Sequence, residues 1–274
     1  MTLAKTTVAA KIPAGAFAGV EALDLGFREG TAFSYSGAFP DTKGELIVAA
    51  DASTDERYTV NGLFSIATLP APGEGKGGRV LYTGLSTLGT EAAGANALYA
   101  ADDCSGTFVP AGEPTCEAPL EVAAWGDASG PIAVDRQGNA FVLMTSFGGD
   151  QSARAFASSV IDLGSGPVEG DDLFTLPGFG QSLAAITPEG DAPGIVAFQP
   201  ADGTTFEALD VLQSRYSVAN DSITTAGAPE PLFALTTPNT PLAMLTDPLD
   251  HLWVGVPSAD GTTTTFVVIA RKPQ

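Results

Sequence analysis

An internal repeat constrains the fold of this chain more than any other feature. Leu173–Thr187 reads LFTLPGFGQSLAAIT and Leu232–Thr246 reads LFALTTPNTPLAMLT, and the two segments align without a gap. Val122–Asp135, reading VAAWGDASGPIAVD, is a looser third copy, and fainter copies begin near Leu23 and Leu81. A period of about 50 residues indicates a fold assembled from similar units that stack on one another.

Each copy consists of short apolar runs that are bounded by Gly, Pro, Asp and Asn, which is the pattern of β-strands. No stretch combines a sustained 3.6-residue apolar period with helix caps. Several of the runs are apolar at consecutive positions, so we expect sheets that are covered on both faces. The expected strands include Glu45–Ala50, Asn139–Thr145, Ala153–Asp162, Gly194–Phe198, His251–Val256 and Thr265–Ala270.

About four strands in each unit of about 50 residues is typical of a β-propeller, whose four-stranded blades stack face to face. We therefore predict an all-β chain that forms a single β-propeller domain over residues 1–274. The spacing favours five blades. One alternative is six or seven blades, in which the sequence of one repeat unit has diverged too far to be recognised. The other is a large β-sandwich.

The two ends of the chain are expected to meet. The last repeat runs out after its third strand, near Arg271, and would leave an open sheet edge. We expect residues within Thr6–Leu25 to pair with the sheet that contains Thr262–Lys272, so that N- and C-terminal strands close the ring.

Composition excludes two classes of partner. The chain carries 32 acidic and 12 basic residues, for a formal net charge of −20, and such a charge repels the phosphates of nucleic acids. No apolar run reaches the roughly 18–20 residues of a membrane-spanning helix. We expect neither a nucleic-acid partner nor a membrane span.

The two cysteines, Cys104 and Cys116, lie in the turn-rich stretch CSGTFVPAGEPTC. There is no CxxC motif and no nearby histidine, so this spacing favours a disulfide over a zinc or thioredoxin-like site, with two free thiols as the alternative. A disulfide predicts an oxidising compartment. The chain is accordingly expected to be secreted, periplasmic or at the cell surface, with its signal absent from this sequence.

Two segments resemble known propeller repeats. Pro131–Val142, PIAVDRQGNAFV, resembles the repeat of NHL-type propellers and of the gluconolactonase (senescence-marker) family, and Leu245–Val254, LTDPLDHLWV, is similar to that of two-component-regulator sensor propellers. The resemblance implies propeller-like hairpins. It also implies a divalent metal held by channel-facing carboxylates and an asparagine in lactonase-type members, but no residue set here matches that constellation. Asp135 and Asp247 are predicted to be turn residues.

Two side chains are candidates for ligand binding. His251, the one histidine of the chain, begins an apolar run after Asp250. As a catalytic base it would need a nucleophile and an orienting carboxylate, and no nucleophile motif such as GxSxG is present, so an exposed histidine at a strand end is the simpler interpretation. Trp125 precedes a Gly-Asp turn and could stack on a sugar, although a core position is the alternative.

Among several acidic pairs, one offers the best candidate for a metal site. Asp102 and Asp103 stand beside Cys104, whose disulfide could fix their geometry, and Ca²⁺ prefers such oxygen ligands. Solvated turn charges are the simpler interpretation. We expect no other cofactor.

The sequence favours an exported β-propeller that acts as a binding module for a protein or carbohydrate ligand. The alternative function is a divalent-cation-dependent hydrolase or lactonase that uses carboxylates at the central channel of the propeller. The ligand or substrate is not indicated by any motif.

Overall fold

A computed structural model describes residues 3–10, 22–25, 32–38, 41–51, 54–61, 65–69, 79–84, 96–104, 107–108, 120–125, 128–145, 150–162, 168–201, 207–235, 242–247 and 249–271. Side chains are described at residues 65–67, 81–84 and 97–100 and at most of these positions from residue 130 onward.

The described chain is built from antiparallel β-sheets. It contains 22 strands, arranged in five sheets, and one short helix, α1 (Ser158–Asp162). The all-β prediction is therefore confirmed. The chain divides into two compact units, of which one comprises Met1–Ala16, Ala133–Ser158 and Gly170–Gln274 and the other comprises Phe17–Ile132 and Ser159–Glu169.

The unit that contains Phe17–Ile132 holds two of the sheets. Sheet 1 has four strands in chain order, β2 (Ala22–Leu25), β3 (Ala32–Ala38), β4 (Asp41–Asp51) and β5 (Thr54–Asn61). Sheet 2 consists of β6 (Ser65–Leu69), β7 (Arg79–Gly84), β8 (Asn96–Cys104), β9 (Thr107–Phe108) and β10 (Leu120–Trp125). Its order is β10-β8-β7-β6, and β9 pairs with β8.

Sheet 3 also follows chain order. Its strands are β11 (Ala128–Val134), β12 (Ala140–Thr145), β13 (Asp150–Phe156) and β14 (Asp171–Pro177). The boundary between the two units falls inside β11.

Sheets 4 and 5 lie in the unit that contains Gly170–Gln274. Sheet 4 comprises β15 (Phe179–Ile186), β16 (Gly194–Ala201), β17 (Val211–Ala219), β18 (Ser222–Thr225) and β19 (Glu230–Phe233). Its order is β15-β16-β17-β18, with β19 paired to β17. Sheet 5 comprises β20 (Ala243–Thr246), β21 (Leu252–Pro257), β22 (Thr264–Arg271) and β1 (Leu3–Ala10), in that order.

Burial of the inner strands agrees with their apolar sequences. All eight residues of β16 are buried, and so is the consecutive run Ala140–Met144 in β12. A strand that is buried at consecutive positions must be covered on both faces, as the sequence predicted. Sheets 4 and 5 share one apolar core, which contains Ala184, Ile186, Ile195, Ala197, Val211, Leu242, Leu252, Val254, Val267 and Ile269.

The repeat has a simple structural meaning. Leu173–Thr187 runs through β14, the outer strand of sheet 3, and into β15, the first strand of sheet 4. Leu232–Thr246 starts at the end of β19 in sheet 4 and extends through β20, the first strand of sheet 5. Each copy therefore links one sheet to the next.

One sequence expectation needs correction. The strand expected over Ala153–Asp162 ends at Phe156, because the chain turns into α1 two residues later. The expected pairing of residues within Thr6–Leu25 with the C-terminal sheet is seen for β1, which pairs antiparallel with β22 from Leu3 opposite Arg271 to Ala10 opposite Thr264. Ala22–Leu25 is instead β2 of sheet 1. Residues 11–21 lie outside the described residues.

Candidate functional site

The hairpin between β11 and β12 is closed by the side chain of Asp135. Its Oδ1 accepts hydrogen bonds from the backbone N–H groups of Gln137 and Asn139, both at 2.9 Å, and its Oδ2 accepts one from Asn139 Nδ2 at 2.8 Å. Gly138 adopts a φ of 84°, which glycine tolerates without strain. The turn therefore needs an aspartate at its first position and a side-chain donor at its fifth.

The hairpin between β20 and β21 repeats this geometry. Oδ1 of Asp247 accepts the N–H groups of Leu249 and His251, both at 2.9 Å, and Oδ2 lies 2.9 Å from His251 Nδ1. Asp250, with a φ of 63°, stands where Gly138 stands in the first turn. The predicted turn roles of Asp135 and Asp247 are confirmed.

The third hairpin, between β15 and β16, has no aspartate at the corresponding position. Thr187 follows β15, and a carboxylate from sheet 5 serves it instead: Asp250 Oδ1 accepts from Thr187 N at 3.2 Å and from Thr187 Oγ1 at 2.9 Å. The Arg136 N–H donates to Thr187 Oγ1 at 2.8 Å, and Arg271 donates to the Thr187 carbonyl oxygen. These bonds bring the three hairpin turns together, and we call the set Asp135–Asn139, Thr187 and Asp247–His251 the turn cluster.

A buried phenol ties sheet 4 to sheet 3 beneath the turn cluster. Tyr216 Oη lies 2.6 Å from Asp135 Oδ2 and 3.1 Å from the Ile186 carbonyl oxygen. The Tyr216 ring lies against Gly194, its cross-strand partner in β16, and packs at 4.7 Å from the Phe141 ring. Both the phenol and the Asp135 carboxyl are buried, and the carboxyl-bearing residue is only 1% exposed.

Burial controls the protonation of this pair. Burial raises the pKa of Asp135 above 3.8, although hydrogen bonds from Asn139, Tyr216 and Gln137 act in the opposite direction. Burial also raises the pKa of Tyr216 well above 10.0, and the neighbouring charge of Asp135 adds to this effect. Tyr216 is therefore a neutral hydrogen-bond donor at neutral pH.

The Asp247–His251 pair lies in a different environment because it is only partly buried. Desolvation raises the pKa of Asp247, but hydrogen bonds from Trp253 Nε1, from His251 and from the Leu249 N–H outweigh it, and the net pKa is below 3.8. Asp247 is thus an ionised acceptor at neutral pH. The hydrogen-bond network then assigns the proton of a neutral His251 to Nδ1, which faces Asp247 Oδ2.

Comparison of the two equivalent turns shows what is particular to His251. Asn139 fills the fifth position of the first turn, and its Oδ1 accepts the Ser158 N–H at 3.0 Å, so both ends of its amide are engaged. His251 engages only Nδ1; its Nε2 has no hydrogen-bond partner among the described residues, and 34% of its side chain is exposed. The imidazole therefore offers a free basic nitrogen whose orientation is fixed by a carboxylate, which is the arrangement of a general base.

An arginine faces the residue that precedes His251. Arg136 Nη1 is 3.8 Å from Asp250 Oδ2, and Asp250 immediately precedes His251 in the chain. The Arg136 side chain is 55% exposed, whereas that of Asp250 is 12% exposed. The turn cluster thus contains a cation, a carboxylate and an imidazole.

The sequence-predicted site residues lie on different elements of the fold. His251 lies in the turn cluster, whereas Trp125 is the last residue of β10 in sheet 2. Asp102 and Asp103 lie near the end of β8, opposite Arg79 and Phe108 respectively. The side chains of Trp125, Asp102 and Asp103 lie outside the described residues, so their predicted roles remain predictions.

The predicted disulfide likewise involves side chains outside the described residues. Cys104 ends β8, and its backbone alone is described, whereas Cys116 lies outside the described residues. The Cys104–Cys116 bond therefore remains a prediction.

The sequence analysis missed the carboxylate partner of His251 and the contacts of the neighbouring Asp250. It required an orienting carboxylate and did not find one, although the carboxylate of Asp247 stands four residues earlier in a DxxxH pattern that parallels DRQGN. That parallel is a local signal which could have revealed the pair. Arg136 and Thr187 carry no such signal, because their contacts with Asp250 join residues far apart in sequence.

Two kinds of feature are absent from the described residues. Among them, no group of three His, Cys, Asp or Glu side chains is placed to hold a metal ion. Within the same part of the chain, no helix combines the length and apolar character that crossing a membrane requires.

Comparisons with known proteins give distant structural likenesses. No family model and no curated protein matches the chain. It is similar to an endo-arabinase from Bacteroides thetaiotaomicron, with 14% identity, a TM-score of 0.43 and an alignment that covers 89% of this chain and 90% of that chain. It is also similar to the catalytic domain of a GH62 alpha-L-arabinofuranosidase from Coprinopsis cinerea, with 8% identity, a TM-score of 0.48 and coverage of 96% of this chain and 94% of that chain. A third similar structure is virginiamycin B lyase from Staphylococcus aureus, with 10% identity, a TM-score of 0.41 and coverage of 98% of this chain and 100% of that chain. No activity of this chain follows from likenesses at these TM-scores.

Proposed function

We propose that this chain is a hydrolase in which His251 acts as a general base. One observation carries the proposal: Asp247 Oδ2, an ionised acceptor, lies 2.9 Å from His251 Nδ1, and the imidazole leaves Nε2 without a partner among the described residues. A carboxylate that holds one ring nitrogen fixes both the tautomer and the orientation of the other.

The proposed chemistry is water activation. Nε2 of His251 removes a proton from a water molecule while the water oxygen attacks the electrophilic carbon of an ester or lactone. The bond from that carbon to the leaving oxygen then breaks, and the imidazolium returns the proton to this oxygen. Asp247 keeps its charge throughout and stabilises the imidazolium.

In this proposal the fold is a five-bladed β-propeller that spans residues 1–274 as one domain. Pairing of the N- and C-terminal strands closes the propeller. Support comes from five sheets of four or five strands, from the repeat that links one sheet to the next, and from the eight-residue pairing of β1 with β22. Export to an oxidising compartment is a further part of the proposal, and the cysteine spacing supports it.

The second turn of the same type provides a matched experiment. His251→Asn copies Asn139, which already fills this position in the Asp135 turn, so the variant should keep the hydrogen bond to Asp247 and the thermal stability. Removal of a general base should lower kcat/KM by about 10²- to 10⁴-fold. Hydrolysis of p-nitrophenyl esters, aryl glycosides and dihydrocoumarin is the measurement.

A binding module is the second candidate function. Four carboxylates accept hydrogen bonds from backbone N–H groups, namely those of Asp135, Asp171, Asp210 and Asp247. This structural role leaves them less available for catalysis and therefore favours the module. A wild-type chain that hydrolyses no member of the panel faster than buffer would contradict the hydrolase and favour the module. The divalent-cation dependence that the sequence analysis gave as an alternative forms no step of this mechanism, and it is tested by treatment with EDTA followed by addition of Ca²⁺.

A further inference from the structure

The spacing of Arg136 and Asp250 is the starting point. Nη1 and Oδ2 are 3.8 Å apart, which is too long for a direct hydrogen bond. Both residues bond to Thr187: the Arg136 backbone N–H donates to Oγ1, and Asp250 Oδ1 accepts from both the N–H and Oγ1. Thr187 thus fixes the Arg136 backbone and the Asp250 carboxylate, and the exposed guanidinium faces the remaining carboxylate oxygen, Oδ2.

One hydroxyl group satisfies both partners at this spacing. A hydroxyl oxygen about 2.8 Å from each of two atoms can bridge them, because it accepts from the guanidinium and donates to the carboxylate. An anion would be attracted by Arg136 but repelled by Asp250. A cation would be attracted by Asp250 but repelled by Arg136. The pair is therefore complementary to a neutral ligand that carries hydroxyl groups.

The surroundings make such a ligand relevant to His251. Asp250 directly precedes His251, and the Trp253 ring is tied to the same turn through its bond to Asp247 Oδ2 at 2.9 Å. A hydroxyl held between Arg136 and Asp250 would place the rest of its molecule at the turn that carries His251. The unused donors of the half-exposed Arg136 could serve a second, neighbouring hydroxyl.

We propose that Arg136 and Asp250 form a subsite for the hydroxyl groups of a neutral sugar or sugar derivative. The subsite deepens the proposed function by naming its substrate class, and in that respect it rests on the hydrolase proposal. Binding itself does not depend on catalysis, so the two proposals can fail separately.

The single histidine makes the test direct, because the chain has one imidazole and therefore one set of imidazole NMR signals. Methyl β-D-xylopyranoside is titrated as the neutral probe, with sodium gluconate as the anionic probe and choline chloride as the cationic one. The neutral glycoside should shift the His251 signals in a saturable way, and neither charged probe should do so at equal concentration.

Variants locate the binding. Arg136→Gln and Asp250→Asn should each raise the apparent Kd for the glycoside at least tenfold, and Asp250→Asn keeps Oδ1 as the acceptor for Thr187. The matched control is Arg215→Gln, because Arg215 is also an exposed arginine but pairs directly with Glu230 at 2.9 Å. This control should bind the glycoside like the wild type.

Three results would overturn the subsite: no saturable shift with the glycoside, tighter binding of gluconate or choline than of the glycoside, or equal weakening in Arg215→Gln. Calorimetry on His251→Asn separates the two proposals. Glycoside binding that persists in His251→Asn supports a subsite independent of catalysis, and glycoside binding by a wild-type chain that hydrolyses nothing contradicts the hydrolase. Hydrolysis that depends on His251 but not on Arg136 or Asp250 contradicts the subsite and supports the hydrolase.

Discussion

Tyr216 Oη lies 2.6 Å from Asp135 Oδ2 and thereby joins β17 of sheet 4 to the first turn of sheet 3 across 81 residues of sequence. The same hydroxyl is 3.1 Å from the Ile186 carbonyl oxygen. The N–H of that peptide group belongs to Thr187, and it donates to Asp250 of sheet 5. One peptide group therefore connects the buried pair to the turn that carries His251.

Removal of the Tyr216 hydroxyl should destabilise the fold. Tyr216→Phe keeps the ring against Gly194 and Phe141 but takes a donor from the buried Asp135. Loss of one partner of a buried polar group costs about 1–3 kcal/mol in the free energy of unfolding. Urea denaturation at neutral pH measures the change, and a loss of less than about 0.5 kcal/mol would show that the contact contributes little.

The buried carboxyl should also give stability a distinctive dependence on pH. Because the pKa of Asp135 is raised above 3.8 by burial, the folded protein binds this proton more tightly than the unfolded chain. The contribution of Asp135 to the free energy of unfolding is therefore greatest below pH 3.8 and decreases as pH rises through the raised pKa. Asp260 acts in the opposite sense, because hydrogen bonds from Ser258 and Thr262 lower its pKa to about 2.

Comparison with Asp135→Asn isolates this contribution, since the variant retains Asp260 and every other acid. Urea melts at several pH values from 3 to 7 should show the wild type losing stability relative to the variant as pH rises. A wild type that gains on the variant over this range would mean that Asp135 is held ionised in the folded protein.

Gly194 has no room for a side chain. A Cβ at this position would overlap the Tyr216 ring, so Gly194→Ala must displace the phenol from Asp135. Overpacking of this kind costs about 1–3 kcal/mol. Gly255→Ala is the control: it also lies in an inner strand, but its nearest neighbour would be Thr264 Cγ2 at 3.4 Å. Thermal melts of the two variants should differ, and equal melting temperatures would contradict the predicted overlap.

Local patterns in the sequence were sufficient for some of these features. The apolar run GIVAF predicted a strand buried on both faces, and β16 is one. The turn roles of Asp135 and Asp247 followed from Asx-turn chemistry, which acts within five residues.

Contacts between sheets were beyond the reach of such patterns. Tyr216 in YSV looks like any strand tyrosine, and its acceptor stands on another sheet. The Arg136–Asp250 spacing likewise depends on how two turns meet at Thr187, which no single segment encodes. The sequence also gave no reason for the strand at Ala153 to end at Phe156, where α1 follows.

The predicted Cys104–Cys116 disulfide can be tested without a structure. Thiol titration of the unfolded, unreduced protein should find no free thiols. A loop of this length should add about 3 kcal/mol to the free energy of unfolding, so reduction should lower it by about that amount. Detection of two thiols in protein prepared under oxidising conditions would rule the bond out.

The last prediction concerns β1. Its eight residues, Leu3–Ala10, pair with β22 along the whole of that strand, so they cover an edge that would otherwise expose unpaired backbone groups next to the apolar residues Val267, Val268 and Ile269. Deletion of residues 1–10 should therefore lower the melting temperature and promote aggregation. A synthetic peptide of residues 1–12, added in trans, should restore both properties by pairing with β22, and a scrambled peptide of the same composition should not. Light scattering and thermal melts give the readout. A truncated chain that melts like the full chain and stays monomeric would show that the β1–β22 pairing contributes nothing to the stability of sheet 5.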